Sequence, residues 1–216
     1  PGKYVVCNAD EGDSGTFSDR MVMEGDPYAL IEGMMIAALA VGASRGLVYI
    51  RSEYPEAIDV MNAAIERAQA AGFIGADVLG SGQAFSLQVR KAAGSYVCGE
   101  ETALLESLEG RRGIVRAKPP LPAIEGLFGQ PTVINNVITF ASVPRIFARG
   151  AAYYRDFGLG RSMGTLPFQL AGNIRFGLEM RRLPVGDGGL AVHVLADIGG
   201  STQAAYVEET EILAFD

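Results

Sequence analysis

Short, continuous apolar runs alternate along this chain with stretches whose apolar residues recur at three- and four-residue steps. The first run, Tyr4-Val5-Val6-Cys7, breaks into a polar, glycine-bearing segment from Asn8 to Thr16. Asp26-Pro27 then reads as an N-cap followed by proline at the first helical position. It opens a helix whose apolar face includes Leu30, Ile31, Met34, Ala38 and Leu39 and which should end between Gly42 and Gly46. Leu47-Val48-Tyr49-Ile50 is a second buried run, and Pro55 restarts a helix with Ile58, Met61, Ile65 and Ala68 on one side before Gly72. Strand, helix, strand, helix predicts parallel pairing through right-handed crossovers, with the runs buried on both faces. Phe85, Leu87 and Val89 instead alternate with Ser86, Gln88 and Arg90, which predicts a strand covered on one face only.

Beyond Gly110 the stretch to Pro131 is rich in proline, glycine and basic residues and has neither period, so an ordered connecting loop is expected. Asn135 or Asn136 then caps a helix through Val137, Ile138, Ala141 and Phe147, with Pro144 marking a kink or break. From Gly164 onward the pattern changes to short strands around Phe168, Leu170, Ala171 and Ile174, with a turn at Gly186-Asp187-Gly188-Gly189.

The 216 residues suffice for one sizeable core, and 49% hydrophobic with 20% charged residues describes a globular rather than a disordered chain. A net charge of −7 argues against a nucleic-acid partner. The most apolar segment, Met34 to Val41, is flanked by Glu32, Gly33 and Gly42 and is too short to span a bilayer. Cys7 and Cys98 form no C-x-x-C pair, so they read as buried small residues, with no disulfide framework and no metal cradle. A reducing, cytoplasmic setting is expected. Pro1 stands almost directly before a core run, so the native start is expected further upstream. The one histidine, His193, reads as exposed or structural.

Candidate chemistry concentrates in Gly94 to Gly110, Gly-Ser-Tyr-Val-Cys-Gly-Glu-Glu-Thr-Ala-Leu-Leu-Glu-Ser-Leu-Glu-Gly. A glycine-flanked turn delivers Glu100, Glu101 and Thr102 into a first helical turn, whose free backbone N–H groups can meet a ligand. Acidic residues there also perform ordinary capping. Two polar loops therefore follow strands, and ligands of parallel α/β sheets sit at the carboxyl ends of strands. For Asn8, Asp10 and Glu11 an Asx-type turn stands beside a ligand role, and for Asn135 and Asn136 a helix cap stands beside anion binding.

Together with Arg51-Ser52-Glu53-Tyr54-Pro55, Glu109 to Gly113, Lys118 to Ala123 and Pro131 to Val137, these segments resemble, in order, a known family. It is the flavin-bearing, NADH-reacting subunit shared by respiratory NADH dehydrogenase (complex I), NAD-linked hydrogenases and NAD-linked molybdenum formate dehydrogenases. The resemblance covers residues 3–176. Tyr154 to Gly158 and Gly164 to Asn173 are most similar to the formate dehydrogenase branch, with complex I and hydrogenase diaphorase subunits as the alternatives. It implies an α/β fold, with a Rossmann-like parallel sheet flanked by helices binding FMN and NADH over residues 1–160. A partial β-grasp-like segment over 161–216 is matched poorly after residue 176.

The resemblance further implies hydride passage between NAD(H) and FMN, with no protein nucleophile. By resemblance Asn8, Asp10 and Glu11 line the flavin and nicotinamide side, and Asp13 falls where relatives often carry glutamate. Gly99, Glu100, Glu101 and Thr102 form the Gly-Glu-Glu-Thr block, with Tyr96 before it as a further cofactor contact, and Asn135 and Asn136 lie toward the flavin phosphate. A carboxylate near the adenosine ribose, with Glu100 as the residue to replace, would favour NAD(H) over NADP(H). The implied partners are iron–sulfur and molybdenum subunits of a multi-subunit dehydrogenase. The 4Fe-4S motif of the family lies beyond the matched region, and its glycine-rich FMN loop is not in this sequence. The Gly75, Gly80 and Gly82 spacing does not replace that loop. Weak FMN binding is therefore expected, and a purely structural or assembly module is the reading from another class.

Overall fold

The computed structural model describes the backbone of residues 2–13 and 15–158 and of five strands between Phe168 and Gly199, with side chains as far as Gly150. Four strands, β1 (Tyr4–Ala9), β2 (Arg45–Ile50), β3 (Ser86–Lys91) and β4 (Thr132–Asn136), form one parallel sheet in the order β3-β2-β1-β4. The alternation of β1 sends Tyr4 and Val6 to a cluster with Tyr49, Cys98, Leu104 and Ile134. Val5, Cys7 and Ala9 point the other way, to Leu30, Met34, Val48, Ile50, Met61 and Phe140. A central strand covered on both faces is what the unbroken apolar run predicts. At the edge, β3 buries Phe85 and Leu87 beneath it and exposes Ser86, Gln88 and Arg90. Both cysteines are buried.

The helices α1 (Ser18–Gly25), α2 (Pro27–Val41), α3 (Pro55–Ala70), α4 (Glu101–Leu108) and α5 (Val137–Gly158) complete the chain as far as residue 158. Asp26 caps α2 by accepting from the Ala29 N–H at 3.2 Å, and Gly42 closes it in the left-handed region at φ 68°. Where α2 meets the start of α5, a Cβ on Gly33 would stand 1.8 Å from the Phe140 carbonyl oxygen, so only glycine permits this approach.

Three features differ from expectation. The helix α1 has no sequence signal of its own, because Phe17 at its N-cap makes no side-chain cap and the capping carboxylate comes from Glu11. Thr132 to Asn136 is a fourth strand where only a helix cap was expected, since its last two positions are polar. Pro144 lies inside α5, and the non-helical residue is Gly150 at φ 82°.

The chain divides into two compact units, Pro1–Pro144 and Arg145–Asp216. In the second, β5 (Phe168–Leu170), β6 (Ile174–Glu179) and β9 (Leu195–Gly199) pair antiparallel in the order β5-β6-β9. There β7 (Arg182–Val185) and β8 (Gly189–Val192) pair antiparallel with Val185 opposite Gly189. The turn residues 186–188 and His193 lie outside the described residues. Among the described residues, no helix is long and apolar enough to cross a membrane, and no cluster of histidine, cysteine and acidic side chains has the makings of a metal site.

Candidate functional site

Strand β1 has β2 on one side and β4 on the other, so the chain leaves its carboxyl end toward one flank and returns on the opposite one. Such a switch point opens a crevice at the carboxyl ends of the strands. Asn8 and Asn136 are register partners there, and Asp10 follows directly. Asn8 donates through Nδ2 to the Gly99 carbonyl at 2.8 Å, tying the end of β1 to the turn before α4. Its Oδ1 accepts from the Asp10 N–H at 3.2 Å, the Asx turn that the sequence allowed.

The same two loops meet again further out. A Cβ on Gly12 would lie 2.9 Å from the Tyr96 ring, and one on Gly99 would lie 3.4 Å from the Asp10 carbonyl. The Tyr96 hydroxyl donates to Asp13 at 2.8 Å, which fixes a ring that is otherwise 72% exposed. Asn8, Asp10, Asp13, Tyr96, Gly99 and Asn136 are thus brought together at one edge of the sheet. Asn135 is not, because strand alternation pairs it with Cys7 on the opposite face.

Asp10 is the conspicuous group. Its Oδ2 is buried with no hydrogen-bond partner. Burial pushes its carboxyl up to about 6, with Arg51 pulling it down and Glu53 raising it. An orphaned carboxyl oxygen at the mouth of a switch point is where a ligand donor belongs.

Glu100 and Thr102 are engaged within the chain. One oxygen of Glu100 accepts from the N–H groups of Thr102 and Ala103, both at 2.9 Å, and from the Thr102 hydroxyl. That hydroxyl also accepts from the Arg116 N–H at 2.8 Å. The capping alternative is therefore realised, and two of the donors expected to be free for a ligand are taken. Lys118 pairs with Glu101 and lies 3.5 Å from the second oxygen of Glu100. Asn136 likewise caps α5 by accepting from the Thr139 N–H at 2.8 Å. At the end of α4, Glu106 and Glu109 pair with Arg111 and Arg116, which fastens the proline-rich loop to the helix. A concavity of about 500 Å³ between Arg111, Arg116, Glu125 and Phe128 lies at that end of α4, with its arginines already paired.

Glu11 turns inward. Its carboxylate accepts from the Ser18 hydroxyl, the Asp19 and Arg20 N–H groups and the Tyr54 hydroxyl, at 3.1 to 3.3 Å. Tyr54, unassigned from sequence, lies between Arg20 and Arg51, whose guanidinium carbons stand 5.4 and 5.1 Å from the ring centre. Burial, and then the Glu11 charge, push the neighbouring Asp19 carboxyl up to about 8, against a hydrogen bond from the Ile138 backbone. The folded chain therefore keeps a proton on Asp19 between about pH 4 and 8 that the unfolded chain releases, and stability falls as pH rises through that window. Asp19→Asn is expected to raise the urea midpoint more at about pH 8.5 than at about pH 5. Equal shifts at the two pH values would contradict the buried-proton account.

A parallel sheet with polar loops converging at its switch point defines a nucleotide-cofactor-binding α/β protein. More narrowly, the chain belongs to the Nuo51 FMN-binding domain family (Complex1_51K), which matches residues 1–145. It is 46% identical to the F 2 subunit of the NADH-quinone oxidoreductase of Rhizobium meliloti (strain 1021), over 97% of this chain and 52% of the relative. To the NADP-reducing hydrogenase subunit HndC of Solidesulfovibrio fructosivorans it is 47% identical, over 92% of this chain and 40% of the relative. The NAD+-reducing [NiFe]-hydrogenase in its H2-reduced state superimposes with a TM-score of 0.70 at 40% identity, over 82% of this chain and 30% of that one. The chain thus spans about half the length of these curated relatives or less. The family resemblance in the ordered sequence blocks is borne out, as is the α/β fold.

The family is described as FMN-binding. The residues present fit such a group: an orphaned buried oxygen on Asp10, amides on Asn8 and Asn136, and a glycine at position 99 where the two loops approach.

Proposed function

We propose that this chain is the flavin- and NAD(H)-binding part of a subunit that passes a hydride between NAD(H) and FMN, the electrons going on to iron–sulfur clusters of a larger complex. The observation that carries the reading is the meeting of Asn8, Asp10, Tyr96, Gly99 and Asn136 at the β1/β4 switch point. When bound, FMN would supply hydride acceptance and one-electron transfer. The protein's own work is binding and orientation. Asp10 offers a partner-seeking oxygen, Asn8 and Asn136 set the polar edge, and Tyr96 roofs Gly12 and steadies Asp13. No side chain has to attack or be acylated.

The proposed preference for NAD(H) moves from Glu100 to Glu101. Glu100 is engaged by three donors of the α4 turn, whereas Glu101, among the described residues, pairs with Lys118 and can oppose a 2′-phosphate. HndC, named as NADP-reducing, shows that the relatives do not share one nicotinamide preference. Stopped-flow reduction of the bound flavin in the full-length subunit tests both statements. NADH should bleach the flavin. Glu101→Gln should raise NADPH efficiency relative to NADH by about tenfold, a loss of about 1.4 kcal/mol of discrimination, and Glu100→Gln should leave the ratio nearly unchanged. Absence of bleaching by NADH overturns the function, and an unmoved ratio in Glu101→Gln overturns the preference.

The finer proposal is an NAD-linked formate dehydrogenase with iron–sulfur and molybdenum subunits in the cytoplasm, supported by the blocks Tyr154 to Gly158 and Gly164 to Asn173. Within it, residues 1–160 form the FMN/NADH-binding domain and 161–216 the appended segment.

A further inference from the structure

The turn after β2 carries Arg51, Ser52 and Glu53 beside the loop that holds Asp10. Register places them there: Ile50 pairs with Ala9, and the Arg51 N–H donates to the Ala9 carbonyl at 3.3 Å. The Arg51 guanidinium donates through Nη1 to the main-chain carbonyl of Glu11. It also faces the Tyr54 ring at 5.1 Å and pairs with Glu53 at 3.4 Å. One side chain therefore grips the loop backbone, the ring that closes over the Glu11 carboxylate, and an exposed acid.

We propose that Arg51 is a positioning residue of this site: it pins the loop after β1 by the Glu11 carbonyl and, against Glu53, decides whether Asp10 meets a ligand as an acceptor or as a donor. The inference rests on the flavin-site reading only for the identity of that ligand.

The geometry supplies the reason. The orphaned Oδ2 of Asp10 can accept a hydrogen bond when ionised and donate one when protonated, and the edge of an isoalloxazine ring presents both kinds of partner. Burial favours the neutral acid, the guanidinium of Arg51 favours the carboxylate, and Glu53 opposes Arg51. Other charges around the loop are committed elsewhere. Glu11 faces α1 and Tyr54, Asp13 accepts from Tyr96, Glu100 caps α4, and Glu101 pairs with Lys118. From the turn before α4, Gly99 approaches Asp10 without charge.

The test follows the Asp10 carboxyl carbon by NMR in the full chain labelled with 13C-aspartate, the resonance being assigned by its loss in Asp10→Asn. The wild-type midpoint is expected near 6. Arg51→Gln should move it up by about one unit or more, and Glu53→Gln should move it down. Arg51→Lys, which keeps the charge, should stay close to the wild type. A merely structural Arg51 would not yield opposite shifts from the two neutralising substitutions. Glu53 is exposed, so its variant is informative even where Arg51→Gln is unstable. An unmoved midpoint in Glu53→Gln, or shifts of the same sign in Arg51→Gln and Glu53→Gln, overturns the proposal. Repeating the titration in the full-length subunit with saturating FMN separates the two readings. A further displacement of the midpoint supports contact between FMN and Asp10, whereas no response to FMN in any variant sinks the flavin-site reading and leaves the Arg51 result standing on the ligand-free titration.

Discussion

Gly33→Ala is expected to cost about 3 kcal/mol or more of unfolding free energy, a large fraction of the stability of an ordinary domain. Two effects oppose each other at this position. Alanine is the better helix former by about 1 kcal/mol, which alone would stabilise α2. Its methyl, however, would stand 1.8 Å from the Phe140 carbonyl oxygen and 2.6 Å from the carbonyl carbon, and both are main-chain atoms that no rotamer change can move. The two helices would have to separate by more than 1 Å across a core that also packs Leu30, Met34 and Val137, so the overlap wins. Gly25→Ala, at the end of α1 with nothing within 4 Å of the new methyl, is the control and should be neutral or slightly stabilising. Urea unfolding followed by circular dichroism decides between them. A Gly33→Ala midpoint close to wild type would mean that α2 and α5 do not approach as described.

Gly33 also marks what a sequence reading reaches. The period of Leu30, Ile31, Met34 and Ala38 announces α2, and Asp26-Pro27 announces its start, because cap and helix are adjacent in the chain. The glycine on that face has a reason only in three dimensions. Helix α1 stayed hidden for the same cause, since its cap, Glu11, lies outside the window in which a cap is sought. Strand β4 was masked by its polar end: Asn135 and Asn136 break the apolar run where the strand reaches the switch point. Local consistency fails at such a place because Asn136 answers to the helix it caps as well as to the sheet.

The site divides along the same line. Asn8, Asp10, Tyr96 and Gly99 were legible because strand, polar loop and glycine turn each leave a local mark, and their convergence follows from parallel topology. The role of Glu100 was legible only as a pair of alternatives, since a capping carboxylate and a ligand-binding one occupy the same helical position. The roles of Arg51 and Tyr54 left no signal, because these residues act on a backbone carbonyl and a carboxylate some 40 residues away in the chain.

Glu11 separates structural from ligand roles most sharply. Glu11→Ala would strand the Ser18 hydroxyl and the Asp19 and Arg20 N–H groups, while the Tyr54 hydroxyl keeps the Thr16 carbonyl, and the expected loss is about 3–5 kcal/mol. Glu11→Gln keeps one carboxamide oxygen for these donors, and it removes the negative charge that raises Asp19. Its cost should therefore be a small fraction of the alanine variant's, and the pH dependence of stability assigned to Asp19 should weaken with it. If Glu11 instead served chiefly as a direct cofactor contact, both variants would lower FMN affinity while leaving the urea midpoint nearly unchanged. Measuring midpoint and FMN affinity on the same samples distinguishes these cases. With both carboxylate oxygens already engaged inside the fold, the expected result is a large midpoint shift for alanine and a small one for glutamine. Any change in FMN affinity should then track how far α1 and the Asp10 loop have come loose.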